Sequence, residues 1–139
     1  MKISKSFRNS QRAVILAAIN NSRHDLPMPG LQKLRVKSTT SKDYEGWAFV
    51  DDKNTATIAI HRALKGAALF ATVAHEMTHI SQYLRGDLES VDHKRLRWKG
   101  KVYKLSNKRF KKMTLKQYKK LPWEKEAYKY CERFFKSDS

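Results

Sequence analysis

The spacing of apolar residues predicts helices at both ends and in the middle of the chain. In Lys5–Asn21, apolar side chains recur every three or four residues, which predicts an N-terminal helix. Leu64–Arg85 carries a longer apolar stripe, and Gly86 is a residue type that commonly ends a helix. Thr114–Lys120 predicts a short helix and Pro122–Lys136 a longer one, because proline suits a first helical turn.

Between the first two helices the pattern changes to the two-residue period of strands. Three short runs fit it: Leu34–Ser38, Gly46–Val50 and Thr55–His61. In the last run apolar residues alternate with mostly polar ones, as expected of a half-buried strand. The polar stretch Asp87–His93 predicts no regular structure, whereas Trp98–Tyr103 predicts a short hairpin or an extended stretch that bends at Gly100.

Together these elements predict an α+β fold in a single domain that spans residues 1–139. Its parts are an N-terminal helix, a small twisted sheet of three strands, a long central helix and a C-terminal helix. The chain has no internal repeat or separate linker, and its length suits one hydrophobic core.

The chain is strongly basic: 30 Lys and Arg residues against 13 Asp and Glu residues give a net charge of +17. Thirteen of the basic residues lie between Lys94 and Lys120, a segment with several aromatic residues and no acidic one. Such a segment attracts polyanions such as nucleic acid. It is also typical of a solvated surface, because no base-reading motif accompanies the charge.

Other features limit the class of protein. Cys131 is the single cysteine, so a disulfide within the chain and a cysteine-rich zinc cluster are excluded, and we expect this thiol to be buried. No apolar run reaches the length of a membrane span. The basic N-terminus does not lead into the apolar core of a signal peptide, so we expect a cytoplasmic protein.

The most informative motif for chemistry is His75-Glu76-Met77-Thr78-His79, in the long central helix. Residues four apart project from one face of a helix, so the two imidazoles can bind one metal ion. Glu76 lies beside that face, where its carboxylate can hold a water molecule next to the same ion. His-Glu-x-x-His on a helix therefore predicts a zinc hydrolase.

Two histidines leave a catalytic zinc ion short of one protein ligand, which must be His, Asp or Glu from elsewhere in the chain. His93 would give an all-histidine site. Glu124 and Glu126, at the start of the last helix, are the alternatives. These glutamates lie about 200° apart around a helix, so only one of them is expected to face the ion. Ala127 is small enough to let two helices cross closely near a metal ion.

These motifs resemble those of gluzincins, a group of zinc metallopeptidases. There the third ligand is the glutamate of a downstream Glu-x-x-Ala or Glu-x-x-Ser signature, and here Glu124 precedes Ala127 by three residues. With Trp98-x-Gly-Lys-x-Tyr103 and Pro122-Trp-Glu-x-Glu-Ala127, the stretch from Gly46 to Phe134 is similar to small metallopeptidases encoded by tailed phages.

The resemblance implies a minimal zincin-like fold and one Zn²⁺ ion per chain, bound by His75, His79 and Glu124, with Glu126 as the alternative ligand. It also implies that Glu76 is the general base and that peptide bonds in a protein or peptide are the substrate. The chain departs from larger gluzincins at Tyr128, where those enzymes often have Asp or Asn to orient a ligand histidine.

Peptide hydrolysis also needs a donor that stabilises the tetrahedral oxyanion, commonly Tyr or His. Tyr103, Tyr128 and His93 are candidates that the sequence does not rank. In zincin-like enzymes the strand before the active-site helix lies along the cleft. The resemblance therefore implies that Thr55–His61 pairs with an extended peptide.

Two other functions fit parts of the sequence. One is a basic protein associated with nucleic acid, whose zinc site is structural or vestigial. Glu76 argues against it, because a structural site needs ligands and no base. The other resembles SprT-like proteases, which act on DNA-bound proteins. That group would account for the basic segment, but it generally completes its site with a third histidine.

Overall fold

A computed structural model of the chain describes residues 1–92, 94–104 and 115–136 and contains both helices and strands. The helices in these ranges are α1 (Asn9–Asp25), α2 (Gly66–Leu84), α3 (Leu115–Lys119) and α4 (Pro122–Lys136). The strands are β1 (Lys2–Ile3), β2 (Lys33–Thr39), β3 (Gly46–Val50), β4 (Thr55–His61), β5 (Leu88–Asp92), β6 (Arg95–Trp98) and β7 (Lys101–Lys104). They form two small sheets, so the fold is mixed α+β, as predicted. Within the described ranges, no helix combines the length and apolar composition that a membrane crossing requires.

The first sheet has four strands in the order β1-β2-β4-β3. β2 runs parallel to both of its neighbours, and β3 pairs antiparallel with β4 at the opposite edge. β4 suits a central position because five of its seven residues are buried. The prediction of a three-stranded sheet is corrected here, since Lys2–Ile3 add a fourth strand.

One face of this sheet packs on α1 and α2. Alternate residues of the strands, such as Val36 and Ile58, point into a core that Ile15 of α1 and Met77 of α2 also enter. Burial of this apolar surface is the main stabilising force between the sheet and the helices. It fixes α2, which carries the His-Glu-x-x-His motif, along one face of the sheet.

α4 packs against α2 through small residues. Ala71 and Ala74 of α2 lie in a buried cluster with Tyr130 and Cys131 of α4, and Ala127 is also fully buried. Small side chains let two helix backbones approach closely, so the first turn of α4 lies next to the middle of α2. The buried position predicted for the cysteine is confirmed.

The second sheet joins β5, β6 and β7 in antiparallel order. Lys99 and Gly100 connect β6 to β7 with φ angles of 47° and 86°, as a two-residue hairpin turn requires, which confirms the predicted hairpin. Leu88 and Trp98 pack against Trp123 at the start of α4. This sheet therefore supports the helical turn that follows Trp123.

The predicted helix at the N-terminus is confirmed, but it begins at Asn9 rather than Lys5. The side chain of Gln11 accepts a hydrogen bond from the backbone amide of Arg8 at 2.9 Å. This contact satisfies an amide that the helix leaves unpaired, and it sets the first turn at that point.

The prediction of irregular structure for Asp87–His93 is wrong for Leu88–Asp92, which form β5 by pairing with β6. His93 lies outside the described residues, as do residues 105–114 of the basic Lys94–Lys120 segment. The short helix predicted over Thr114–Lys120 is observed as α3, and its first predicted residue, Thr114, also lies outside the described ranges.

Candidate metal centre

α2 and α4 bring the side chains of His75, His79 and Glu124 together. The two histidines lie on one face of α2, with ring centroids 4.9 Å apart. From the first turn of α4, Glu124 Oε1 lies 3.0 Å from His75 Nε2 and 2.8 Å from His79 Nε2. Glu124 is 1% exposed, so these contacts lie inside the protein.

This group has the geometry and the donor types of a zinc site. One ligand atom from each of the three side chains lies within 4.8 Å of the others. Around a tetrahedral zinc ion, neighbouring ligand atoms are about 3.3 Å apart, given metal–ligand distances of about 2.0–2.2 Å. The two distances from Glu124 Oε1 to the histidine nitrogens, 3.0 and 2.8 Å, would therefore have to lengthen by about 0.3–0.5 Å around such an ion. Two imidazoles and one carboxylate are also a ligand set of catalytic zinc.

Glu76 lies beside this group, where α2 meets the start of β3. It is only 6% exposed. A Cβ atom on Gly46 would lie 3.2 Å from Glu76 Cγ and 3.2 Å from the backbone oxygen of Ala59. The lack of a side chain at Gly46 therefore lets the edge strand β3 approach Glu76 closely.

The charges in this group depend strongly on one another. Burial raises the pKa of Glu76, and the nearby histidines offset only part of this effect. Burial alone would lower the pKa of His79, but the hydrogen bond to Glu124 and the charge of that carboxylate raise it to about 9. Burial alone would raise the pKa of Glu124, but hydrogen bonds with His75 and His79 lower it to about 2. A metal ion would therefore have to replace a proton on His79.

Gln82 connects the second histidine to the segment that carries Glu124. It lies one helical turn after His79 and is 0% exposed. Its Oε1 lies 2.9 Å from His79 Nδ1, and its Nε2 donates to the backbone oxygen of Trp123 at 2.9 Å. Since the amide oxygen can only accept, His79 donates through Nδ1, and this fixes its Nε2 toward Glu124.

Glu126, the alternative third ligand, makes a different contact. Its Oε1 accepts hydrogen bonds from Arg85 Nη2 at 2.7 Å and from Gln82 Nε2 at 3.2 Å. The register of α4 thus places Glu124 with the histidines and Glu126 with Arg85. His93, the other ligand candidate, lies outside the described residues.

Two tyrosines adjoin the group. Tyr118 of α3 hydrogen-bonds to Glu124, and its pKa is raised by burial and by that carboxylate. The Tyr128 ring lies edge-on to His75, with centroids 4.6 Å apart, and burial raises its pKa to about 12. Tyr103 instead packs against the aromatic cluster of the second sheet. Among the described residues, Tyr128 is the predicted oxyanion donor that contacts a candidate metal ligand, His75.

The structure brings together His75, Glu76, His79 and Glu124, whereas sequence reasoning missed Gln82 and Tyr118. A signal for Gln82 exists, because it is a polar residue on the buried side of α2 at a spacing where helical side chains meet. Tyr118 has no such local signal, since its contact depends on how α3 lies against α4.

Comparisons with known proteins add no assignment to this site. The chain matches no known protein family, no curated protein and no solved structure. The functional interpretation therefore depends on the geometry and chemistry of the residues themselves.

Proposed function

We propose that this chain is a zinc-dependent metallopeptidase with a minimal zincin-like fold and a gluzincin-like ligand set. His75, His79 and Glu124 would hold one zinc ion, and Glu76 would act as the general base. The observation that carries the proposal is a buried carboxylate, Glu76, directly beside a convergent His-His-Glu group.

The protein side chains have separate tasks in hydrolysis. A bound zinc ion would polarise the substrate carbonyl and lower the pKa of a water molecule. The Glu76 carboxylate would accept a proton from water and then donate it to the nitrogen of the leaving amine. Burial raises the pKa of Glu76 from its ordinary value, which suits a group that must both accept and donate a proton.

Glu76 also separates this proposal from a structural or vestigial zinc site. A structural site is complete with its ligands and has no use for another buried acid. Burial of the Glu76 carboxylate costs free energy, as its raised pKa indicates. Titratable groups in such unfavourable surroundings are concentrated at functional sites. A SprT-like protease is less favoured, because Glu124 rather than a third histidine lies against the pair.

We assign substrate binding to a different strand from the one implied by the resemblance. β4, at Thr55–His61, lies inside the sheet and pairs with β2 and β3, so its backbone is not available to a peptide. β3 lies at the sheet edge and begins at Gly46, beside Glu76. An extended peptide that pairs with β3 would pass next to the proposed general base.

Metal analysis and one conservative variant test the proposal. Protein purified without added metal should contain about one zinc ion per chain. Glu76→Gln should keep zinc and lose cleavage of an unfolded protein such as casein, because an amide cannot accept the proton. Glu126→Gln is the matched control, since it removes a carboxylate that contacts Arg85 and should retain activity. Cleavage that persists in Glu76→Gln, or that continues after zinc is removed by a chelator, would contradict the proposal.

A further inference from the structure

The outer face of the four-stranded sheet combines a row of basic side chains with a pair of aromatic rings. The cross-strand rows on this face, read from β2 across β4 to β3, are Arg35-Thr57-Phe49 and Lys37-Ala59-Trp47. Residues between these rows, such as Ile58 and Ala48, point to the opposite side and pack in the core. The face is therefore the side of the sheet that points away from α1 and α2.

The basic row extends over two neighbouring strands. On β2 the outward residues Lys33, Arg35 and Lys37 are all exposed, and Lys2 of β1 lies beside Arg35. Lys2, Lys5, Arg35 and Lys37 also line a shallow depression at this edge. The outward positions of β1 to β4 include no acidic residue. Like charges side by side repel each other, so a bound polyanion would stabilise this part of the sheet.

The aromatic pair, Trp47 and Phe49 of β3, is separated from the basic row of β2 by the strand β4. Phe49 is 49% exposed, and the ring of Trp47 lies 6.5 Å from it. Between these rings and the basic row lie two small residues of β4, Thr57 and Ala59, which are only 6% and 3% exposed. Two strand spacings, about 10 Å, separate the cations of β2 from the rings of β3. An exposed apolar ring beside a row of cations is typical of a binding surface.

We propose that this face binds single-stranded nucleic acid. The phosphates of a single strand can lie along the basic row while its unpaired bases stack on Phe49 and Trp47. A duplex hides the faces of its bases inside the helix, so it could use only the cations. An acidic peptide would likewise leave the rings uncovered. The combination of exposed cations and an exposed aromatic ring on one face of the sheet favours an unpaired strand.

Fluorescence anisotropy with a labelled oligothymidine of about 15 nucleotides tests the basic row. We expect the logarithm of the association constant to fall against the logarithm of salt concentration with a slope of about −3, from four phosphate contacts. The double variant Arg35→Gln, Lys37→Gln should make that slope shallower by about 1.4. The control Lys125→Gln, Lys129→Gln removes the same charge from exposed positions of α4 and should bind like the parent.

Phe49→Leu tests the stacking contact, because leucine keeps the apolar bulk and removes the aromatic face. It should weaken binding by about 5-fold or more and leave the salt slope unchanged. Trp47 provides a direct signal: its emission should be quenched on binding, whereas Trp98 and Trp123 are buried. The same measurements in Glu76→Gln with a chelator should give the same affinity, so this inference does not depend on the proposed peptidase activity.

Three results would overturn the inference. The first is a duplex of equal length that binds as tightly as the single strand. The second is an equal loss of affinity in the β2 and α4 charge variants, which would indicate attraction by net charge alone. The third is parental affinity in Phe49→Leu, which would remove the stacking contact.

Discussion

Replacement of Gln82 by methionine would remove the hydrogen bonds through which this side chain links His79 to the first turn of α4. Methionine has a similar length and no branching, so the buried space stays filled while the hydrogen bonds are lost. Two of those bonds join Gln82 to His79 Nδ1 and to the backbone oxygen of Trp123, each at 2.9 Å, and a longer third one joins it to Glu126 Oε1 at 3.2 Å. Because Gln82 is 0% exposed, water cannot take over either bond without a rearrangement.

The size of the effect follows from what each bond does. Loss of the hydrogen-bond partner of a zinc-binding histidine typically lowers metal affinity about 10- to 100-fold. We therefore expect the zinc Kd of Gln82→Met to rise by that factor, which corresponds to about 1.4–2.8 kcal/mol. In the metal-free protein, the buried Nδ1 of His79 and oxygen of Trp123 both lose a partner. The free energy of unfolding should therefore fall by about 2 kcal/mol or more.

Competition with a coloured zinc chelator measures the Kd, and chemical denaturation with EDTA measures the free energy of unfolding. Gln82→Glu is the paired variant: its carboxylate can still accept from His79, so zinc affinity should be closer to that of the parent. Glu126→Gln is the control, because it alters the outer end of the network at Arg85 and should change the Kd by less than about 3-fold. A folded Gln82→Met protein with parental zinc affinity would refute the positioning role, as would an equal loss in Glu126→Gln.

Three further predictions concern the same site. In EDTA, the His79–Glu124 pair should contribute most to the free energy of unfolding between about pH 4.5 and 6.5. Its contribution is lost at lower pH as pH falls through the Glu124 pKa of about 2, and at higher pH as pH rises through the His79 pKa of about 9. The raised pKa of Glu76 makes stability fall as pH rises above about 4.5, so the maximum should lie at the acidic end of that range. Denaturation curves that do not change from pH 5 to 9 would contradict these shifts. Gly46→Ala should lower peptidase activity without changing zinc affinity, because the added Cβ would lie 3.2 Å from Glu76 Cγ; unchanged activity would argue against a cleft at the start of β3. Tyr118→Phe should weaken zinc binding by about 10-fold through loss of its hydrogen bond to Glu124, and chelator competition that gives the parental Kd would assign the hydroxyl another role.

The helices of this protein could be predicted because their signals are local. The apolar stripe of α2 and the proline at the start of α4 are properties of short stretches of sequence. β1 and β5 have no comparable signal. β1 has two residues and depends on its parallel partner β2, far away in the chain. β5 is mostly polar, and its pairing with β6 includes an ion pair of 2.9 Å between Glu89 and Arg97.

The order of the strands in the sheet also could not be predicted from local sequence patterns. The alternation in Thr55–His61 predicts a strand with one buried face, but it does not reveal which strands lie on either side. The parallel pairing of β2 with β4 places Val36 beside Ile58 and leaves β3 at the edge. This difference matters for function, because a peptide could pair with β3 at the edge of the sheet but not with β4 inside it.

The candidate site likewise has one part that local spacing predicts and another that depends on how the helices pack. His75 and His79 could be predicted from their spacing alone, since residues four apart share a helix face. The choice between Glu124 and Glu126 depends on the rotation of α4 against α2, which buried contacts such as that of Ala127 determine. Sequence alone left both open, and the resemblance to gluzincins favoured the one that lies against the histidines.

The buried polar residues of α2 provide a final test of whether Glu76 serves the fold or the chemistry. Thr78 donates to the backbone oxygen of Ala74, and Ser81 donates to that of Pro27 at 2.6 Å, so these groups contribute to the fold. Glu76 differs, because its raised pKa means that folding disfavours its charged form. Glu76→Gln removes that cost while it keeps the shape of the side chain. We therefore expect the metal-free variant to unfold at neutral pH with a free energy equal to or higher than that of the parent, measured by chemical denaturation with EDTA. A marked loss of stability would mean that the carboxylate is needed for folding, and the main argument for its catalytic role would be lost.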